Sequence, residues 1–173
     1  MYFELYSIGL YIYCMITETE YVLDKTDLNI LKLMQDNARI SNADMARELG
    51  MAPSGVLERV KKLEQKGVIQ QYTTRINPAA LQQKMLAFIF MKASDGPGCN
   101  DTAKALAAIP EVQEVHHIAG DDCYLVKIRT YDSASLVYLM RNSFSQIPNL
   151  LSTRTTIVLE TVKEQQQLVI PEN

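Results

Sequence analysis

Residues 51–70 read MAPSGVLERVKKLEQKGVIQ, and this stretch decides the fold of the N-terminal part of the chain. Pro53 suits the first turn of a helix, where its missing N–H would have no partner, and Gly67 suits the residue after the last turn. Between them apolar residues recur at i, i+4 and i+7, the spacing of a buried stripe, at Val56, Val60 and Leu63. The stretch therefore predicts an amphipathic helix from Pro53 to about Lys66.

Two shorter helical patterns precede this helix. From Leu23 to Asn37, apolar residues recur at spacings compatible with one helix face. Ser41 or Asn42 can cap a second helix from Ala43 to Leu49, which Gly50 ends. Three helices with a short glycine-containing turn between the second and third describe a helix-turn-helix. The β-branched and aromatic segment that follows, Val68 to Ile76, predicts a strand or wing.

The outward face of the predicted third helix is polar. At about 100° per residue, the side opposite the buried stripe carries Ser54, Glu58, Lys61, Lys62 and Gln65, with Gly55 and Arg59 on one flank. A helix that reads DNA presents small residues for close approach, acceptors such as glutamate for cytosine amines, and cations for phosphates. We therefore expect DNA contacts from Ser54, Gly55, Glu58, Arg59, Lys61 and Lys62. The alternative is that KKLEQK is a solvated helix face.

The C-terminal half predicts a second domain. Asn77-Pro78 breaks regular structure, so residues 77–84 are interpreted as a linker with a short helical piece. The patterns beyond it predict β-α-β-β-α-β, at Met85–Lys92, Asp101–Ala108, Val112–Ala119, Cys123–Thr130, Ser133–Gln146 and Arg154–Val162. This is the order of the ferredoxin-like split βαβ unit. The predicted fold class is α+β: an N-terminal winged helix-turn-helix (23–76), a C-terminal ferredoxin-like βαββαβ domain (85–164) and a tail (165–173).

The charge distribution agrees with the division into two domains, and the cysteine content indicates the redox compartment. The net charge is −3, but residues 24–82 carry nine Lys/Arg against seven Asp/Glu, and residues 83–173 carry eight against ten. A slightly basic N-terminal half has the right sign for a DNA-binding module. The three cysteines, Cys14, Cys99 and Cys123, form no CxxC pair, which favours a reducing cytoplasm over a disulfide framework or a zinc ribbon.

The first sixteen residues, MYFELYSIGLYIYCMI, are apolar. A secretory signal would want basic residues before its apolar stretch, and a membrane span would need roughly twenty apolar residues, so neither is predicted. We interpret Met15 as the start of translation and residues 1–22 as an uncertain extension. The alternatives are an added edge strand or an interfacial anchor.

No residue pattern predicts catalysis or a metal site. His116 and His117 are adjacent on a predicted strand, so their side chains point to opposite faces and cannot meet at one ion. The loop Gly120-Asp121-Asp122-Cys123-Tyr124 has residues that a hairpin turn favours for backbone reasons, although it is also able to hold a ligand's ammonium group. The sequence contains no Walker loop, GxGxxG or nucleophile elbow, and no cofactor is expected.

From about Leu23 to Glu164 the chain resembles the Lrp/AsnC (feast/famine) family of prokaryotic regulators. The resemblance rests on LDKTDLNILKLMQDNARIS, MAPSGVLERVKKLEQKGVIQQYTTRINP, IAGDDCYLVKIR and TRTTIVLETVKE, in that order. It implies a transcription regulator that binds double-stranded DNA at imperfect palindromes. It also implies domains that pair through their sheets into homodimers, which assemble further into tetramers or octamers.

The resemblance also implies an effector site for an amino acid or related metabolite between C-terminal domains. Residue by residue, it points to Gly120, Asp121, Asp122, Cys123, Tyr124, Thr155, Thr156 and Ile157. Two departures matter. Relatives often have aspartate where this chain has Cys123, so the ammonium-binding carboxylate is missing or displaced to Asp122. Relatives also often have a capping serine where this chain has Ala52.

Two other functions stay open from the sequence. Sirohaem decarboxylases resemble this family and use histidines near a tetrapyrrole, which His116 and His117 would supply, although such an enzyme has no need of a basic third-helix face. The second alternative is a metabolite-binding module that has lost its affinity for DNA.

Overall fold

The computed structural model describes residues 21–95 and 100–171. They divide into two compact units, one made of residues 21–73 and 165–171, the other of residues 74–95 and 100–164. The interpretation of residues 1–14 as untranslated lies outside the described residues. No helix in the described ranges is long and apolar enough to cross a membrane.

The first unit begins with helix α1, Lys25–Asp36. Asp24 is its N-cap, and a reciprocal capping box fixes the start: Asp27 N donates to Asp24 Oδ1 at 2.8 Å and Asp24 N donates to Asp27 Oδ2 at 3.3 Å. Leu23, predicted to lie inside the helix, precedes the cap and still packs against the core. The cap, not the apolar pattern, sets the helix boundary.

Helices α2, Asn42–Leu49, and α3, Pro53–Gln65, complete the predicted helix-turn-helix. Ser41 caps α2, and Gly50 ends it with a φ of +64°, a left-handed conformation that favours glycine. The buried core is formed by Ile30, Met45, Ala46, Val56, Val60 and Leu63. The predicted stripe on the third helix is therefore confirmed.

The segment Val68–Ile76, predicted as a strand or wing, contains no β-strand, and residues 70–77 have no regular secondary structure. β-branched residues favour a strand only where a partner takes up the backbone hydrogen bonds, and no described strand pairs with this segment. Its side chains instead lie on the surface, and Tyr72 Oη donates to Glu64 Oε1 of α3 at 2.8 Å. Burial and this carboxylate raise the pKa of Tyr72 to about 12.

The end of the chain returns to α1. Leu168 N donates to Gln35 Oε1 at 2.8 Å, Gln35 Nε2 donates to Leu168 O at 3.1 Å, and Gln167 Nε2 donates to Gln35 O at 2.8 Å. The last of these bonds satisfies a carbonyl in the final turn of α1, which has no partner within the helix. The described part of the predicted tail is thus hydrogen-bonded to the first unit.

The second unit has the predicted ferredoxin-like order. A 3-10 turn at Pro78–Leu81 precedes β1 (Met85–Ala93), α4 (Asp101–Ala107), β2 (Val112–His117), β3 (Tyr124–Thr130), α5 (Ser133–Asn142), a second 3-10 turn (Phe144–Gln146) and β4 (Leu150–Ile157). The strands lie in the order β2-β3-β1-β4, and every neighbouring pair is antiparallel. The predicted fold class is confirmed.

The two sheet faces differ because side chains alternate along each strand. Ala87, Ile89 and Met91 of β1 and Val126 and Ile128 of β3 lie in the core with apolar residues of α4 and α5. By the same alternation Phe88, Phe90 and Leu125 lie on the face away from the helices, where each is half-buried. We call this second surface the open face.

The last strand lies four to five residues earlier than predicted, at Leu150–Ile157 instead of Arg154–Val162. Its register with β1 explains the shift: Leu150 is opposite Ala93 and Ile157 is opposite Ala87, and Val158 N donates to Leu86 O near the start of β1. Residues 159–162 therefore have little of β1 left to pair with. β4 is an edge strand, so its polar central residues, Ser152–Thr156, need no burial.

Candidate nucleic-acid interface and effector site

The outward side of α3 is the candidate nucleic-acid interface. Ser54, Glu58, Lys61 and Lys62 are exposed there, as predicted from the helical spacing. Gly55 is half-buried, and a Cβ at that position would lie 3.6 Å from Met51 Cε, which is ordinary contact. Leu57, which sequence reasoning missed, is 40% exposed on the same side. An exposed leucine beside polar contact residues can meet a thymine methyl group.

Glu58 and Lys62 form an exposed ion pair along α3. Lys62 Nζ lies 2.9 Å from Glu58 Oε1, at the i, i+4 spacing. The Lys62 ammonium lowers the pKa of Glu58, so the carboxylate is charged at neutral pH. Exposed pairs of this kind contribute little free energy, so a phosphate or a base amine can replace either partner.

Arg59, unlike the other residues predicted to contact DNA, has its side chain bound to the start of α1. Its Nη1 donates to Asp24 Oδ2 at 2.6 Å and to Asp27 Oδ1 at 2.8 Å, both at the start of α1. The two carboxylates raise the pKa of Arg59, and the Asp27 N–H and Arg59 lower the pKa of Asp24. A groove of about 290 Å³ lies beside these groups, lined by residues that include Asp27, Met51, Gly55, Arg59, Lys62 and Lys66.

The candidate effector loop lies between β2 and β3. Gly120 and Asp121 are exposed, whereas the Asp122 side chain is only 17% exposed and accepts from Arg154 Nη2 at 3.0 Å. Arg154 lies on β4, with its guanidinium carbon 4.2 Å from the centre of the Phe90 ring. Sequence reasoning missed Arg154, although it directly precedes the predicted Thr155. No local signal was available, because Asp122 lies more than thirty residues earlier in the chain.

Cys123 and Tyr124 are held by the sheet itself. Cys123 N donates to Met91 O at 2.8 Å, and its Sγ lies 3.5 Å from Ala93 O. Tyr124 is buried, donates from Oη to Asp95 Oδ2 at 3.0 Å and stacks on His117 with ring centroids 5.0 Å apart. Asp95 was also missed, because its contact with Tyr124 joins residues that are 29 positions apart, and no local pattern reports it.

The predicted β4 residues lie apart from the loop. Thr155, Thr156 and Ile157 are exposed, and β1 lies between β4 and β3. Strand alternation places Thr156 on the open face and its two neighbours on the helix side. Within one chain the structure joins the loop to β4 through Asp122 and Arg154.

The two histidines point to opposite faces of the sheet, as predicted. His116 pairs with Leu125 and His117 with Tyr124 in the register of β2 with β3. His116 Nε2 lies 3.2 Å from Glu114 Oε2. Over residues 21–95 and 100–171, no three histidine, cysteine or acidic side chains lie close enough to hold a metal ion.

A charged network lies at the edge of the open face. Glu164 accepts from Lys127 Nζ at 2.6 Å and from Arg129 Nη2 at 3.0 Å, and Arg75 Nη2 lies 3.6 Å away. Lys127 also donates to Glu114 at 2.9 Å. Lys127 and its neighbouring cations lower the pKa of Glu164. The network fixes residue 164, the last residue of the second unit.

These two units match two family models. Residues 23–70 match a winged helix-turn-helix DNA-binding model, and residues 86–168 match the Lrp/AsnC ligand binding domain. The chain is 37% identical over 150 residues to the leucine-responsive regulatory protein of Escherichia coli strain K12, covering 86% of this chain and 92% of that protein.

Solved structures agree. Escherichia coli AsnC matches with a TM-score of 0.75 at 27% identity, over 87% of this chain and all of that one (100%). A feast or famine regulatory protein from M. tuberculosis, complexed with L-methionine, matches with a TM-score of 0.79 at 30% identity over the same shares.

A helix-turn-helix unit joined to a ligand-binding βαββαβ unit defines a ligand-responsive transcription regulator. The chain belongs to the Lrp/AsnC family, as the sequence resemblance predicted.

Proposed function

We propose that this regulator binds double-stranded DNA through the outward face of α3, as a homodimer or a larger even assembly, and that an amino acid controls its binding. The carrying observation is the exposure of Ser54, Glu58, Lys61 and Lys62 on one side of a helix whose other side is buried. Ser54 and Gly55 allow close approach to base edges, Glu58 accepts from a cytosine amine, and the two lysines bind phosphates.

The Asp122–Arg154 pair supports an amino acid as effector. A zwitterion carries one ammonium and one carboxylate, which complement Asp122 and Arg154 respectively. We propose that the effector replaces this ion pair, with Gly120, Asp121, Cys123 and Tyr124 shaping the loop. Since Thr155, Thr156 and Ile157 lie on exposed β4, we propose that a second copy of the chain encloses the site. The L-methionine bound to the M. tuberculosis relative makes methionine the first candidate.

We propose no enzymatic role and a cytoplasmic location, where the DNA is. The basic, polar outward face of α3 argues against the tetrapyrrole enzyme, which has no need of DNA contacts. Adding sirohaem tests this alternative, since a coloured complex would support it.

The test of DNA binding is the double substitution Lys61→Ala/Lys62→Ala. Genomic fragments that the wild type selects are titrated across a range of salt concentrations. Each lost phosphate contact should reduce the slope of log K against log salt by about 0.9, so we expect a decrease of nearly two units. The matched control, Lys104→Ala/Arg141→Ala in the second unit, should leave the slope unchanged. An unchanged slope in both would favour the module without DNA affinity.

The effector site is tested by calorimetric titration with a panel of amino acids that includes L-methionine. Asp122→Asn and Arg154→Gln should each weaken binding by about tenfold or more, because each removes one charge-assisted contact. Glu111→Gln, an exposed acid of the same unit outside the predicted site, is the matched control and should bind normally. Equal affinities in all variants would contradict the assignment.

A further inference from the structure

Arg59 lies on α3 but is bound to α1. Its side chain is 32% exposed, and the Asp27 carboxylate that it contacts is 17% exposed. One nitrogen, Nη1, donates to both Asp24 and Asp27, at 2.6 and 2.8 Å. These are the distances of strong charge-assisted hydrogen bonds. Asp24 and Asp27 lie in the same unit as Arg59, more than thirty residues earlier in the chain.

The two aspartates are themselves held in place. Asp24 and Asp27 form the capping box of α1, so each carboxylate also accepts a backbone N–H at the helix start. Arg59 therefore binds a rigid acceptor pair and not two mobile surface side chains. The apolar contacts of Val56 and Val60 hold α3 against the core, but such contacts are not directional. Hydrogen bonds to fixed acceptors are directional, and they resist rotation of α3 about its own axis.

The contact between Arg59 and the two aspartates also affects the charge beside the proposed DNA-binding face. Asp24 and Asp27 put two negative charges beside the face that we propose meets the phosphates. Arg59 binds both aspartates, and it lines the same groove as Asp27 and Lys62. An arginine between acids and a DNA-binding surface reduces the repulsion of phosphate by those acids.

We infer that Arg59 is a positioning residue: it sets the rotation of α3 through Asp24 and Asp27 and makes no contact with a base or a phosphate. This inference rests on the proposed reading of DNA by α3. It assigns Asp24 and Asp27, the capping residues of α1, a part in sequence discrimination.

The test compares Arg59→Gln, Asp24→Asn, Asp27→Asn and the double variant Asp27→Asn/Arg59→Gln in the full chain. Asparagine keeps the side-chain oxygen that caps α1, so the aspartate variants remove charge without removing the caps. Affinity is measured for a selected specific fragment and for non-specific duplex DNA, at several salt concentrations. Circular dichroism confirms that each variant is folded, and the Asp24 and Asp27 variants carry the test if Arg59→Gln does not fold.

Positioning predicts that Arg59→Gln and Asp27→Asn each lower the ratio of specific to non-specific affinity by about two- to fivefold. The salt slope should stay at the wild-type value, and the double variant should be no worse than the more affected single variant, because both changes break one contact. If Arg59 contacted DNA directly, Asp27→Asn would have the opposite effect on affinity. The variant would lose a charge that repels phosphate and would release Arg59, so it would bind all DNA more tightly.

Tighter binding by Asp27→Asn, or a slope reduced by nearly one unit in Arg59→Gln alone, overturns the inference while leaving the proposed function intact. If the wild type selects no DNA and Lys61→Ala/Lys62→Ala changes nothing, the proposed function itself fails, and the inference fails with it.

Discussion

Ala52 is the N-cap residue of α3, and it gives the helix no side-chain hydrogen bond. Its backbone is extended, with φ −74° and ψ 141°, which is the conformation that a capping serine adopts. The donors at the start of α3 are therefore partly left to solvent in the helix that we propose binds DNA. The sequence predicted this absence, because Ser54 lies inside the first turn and cannot reach back.

Ala52→Ser should stabilise the first unit by about 1 kcal/mol, since a serine N-cap accepts a backbone N–H that alanine cannot. Thermal or urea unfolding of the full chain measures the change. Ala52→Val, which adds bulk without an acceptor, is the control and should not stabilise. Equal effects of serine and valine would show that the start of α3 does not limit stability.

Glu164 gives a pH-dependent contribution to the second unit. Because its folded pKa is lowered from 4.5, its contribution is fully present above about pH 4.5 and is lost as the pH falls through the folded pKa. Glu164→Gln should cost about 1–2 kcal/mol at neutral pH, since Arg129 loses its carboxylate while Lys127 keeps Glu114. The difference from wild type should shrink in acid.

Urea unfolding at a series of pH values tests this prediction. Glu160→Gln, an exposed acid nearby in sequence, is the control and should follow the wild type. A stability gap that stays constant down to pH 3 would show that the Glu164 charge is not responsible.

At the scale of elements, local signals predicted the helices better than the last strand. The ends of α1, α2 and α3 are set by caps and glycines that are adjacent in sequence, so each boundary lies within two residues of the prediction. The register of β4 is set by β1, more than fifty residues earlier, and no local pattern reports it. The partners of Arg59 and Arg154 were missed for the same reason.

The segment Gln165–Pro171 offers a test at this scale, because it is bound to α1 mainly through the backbone of Leu168. Leu168→Pro removes the N–H that donates to Gln35 and should lower the stability of the first unit by about 1 kcal/mol. The Leu168 side chain is 79% exposed, so Leu168→Ala is the matched control and should have almost no effect. Equal losses in both would contradict the backbone contact.

For the whole molecule, fold and family could be predicted from the sequence, whereas the effector site could not be assembled from it. The predicted loop and β4 residues are separated by β1, so they form no enclosed site within one chain. The open face carries Phe88, Phe90 and Leu125, which are half-buried on the side of the sheet away from α4 and α5. We propose this face as the surface through which two copies associate.

Phe88→Asp should weaken that association by at least about thirtyfold, since it would bury a charge at an apolar contact. Sedimentation velocity over a range of concentrations measures the assembly state. Tyr138→Asp is the control, because Tyr138 is 69% exposed on α5, away from the open face. If Phe88→Asp sediments like the wild type, the copies associate elsewhere.

The return of residues 165–171 to Gln35 has a practical consequence for protein engineering. The DNA-reading unit is not one continuous stretch of gene, because its pieces flank the ligand-binding unit on both sides. A fragment that ends at Thr73 contains most of that unit but lacks residues 165–171, which bind Gln35. A chimera that exchanges DNA specificity between relatives should therefore splice at two junctions.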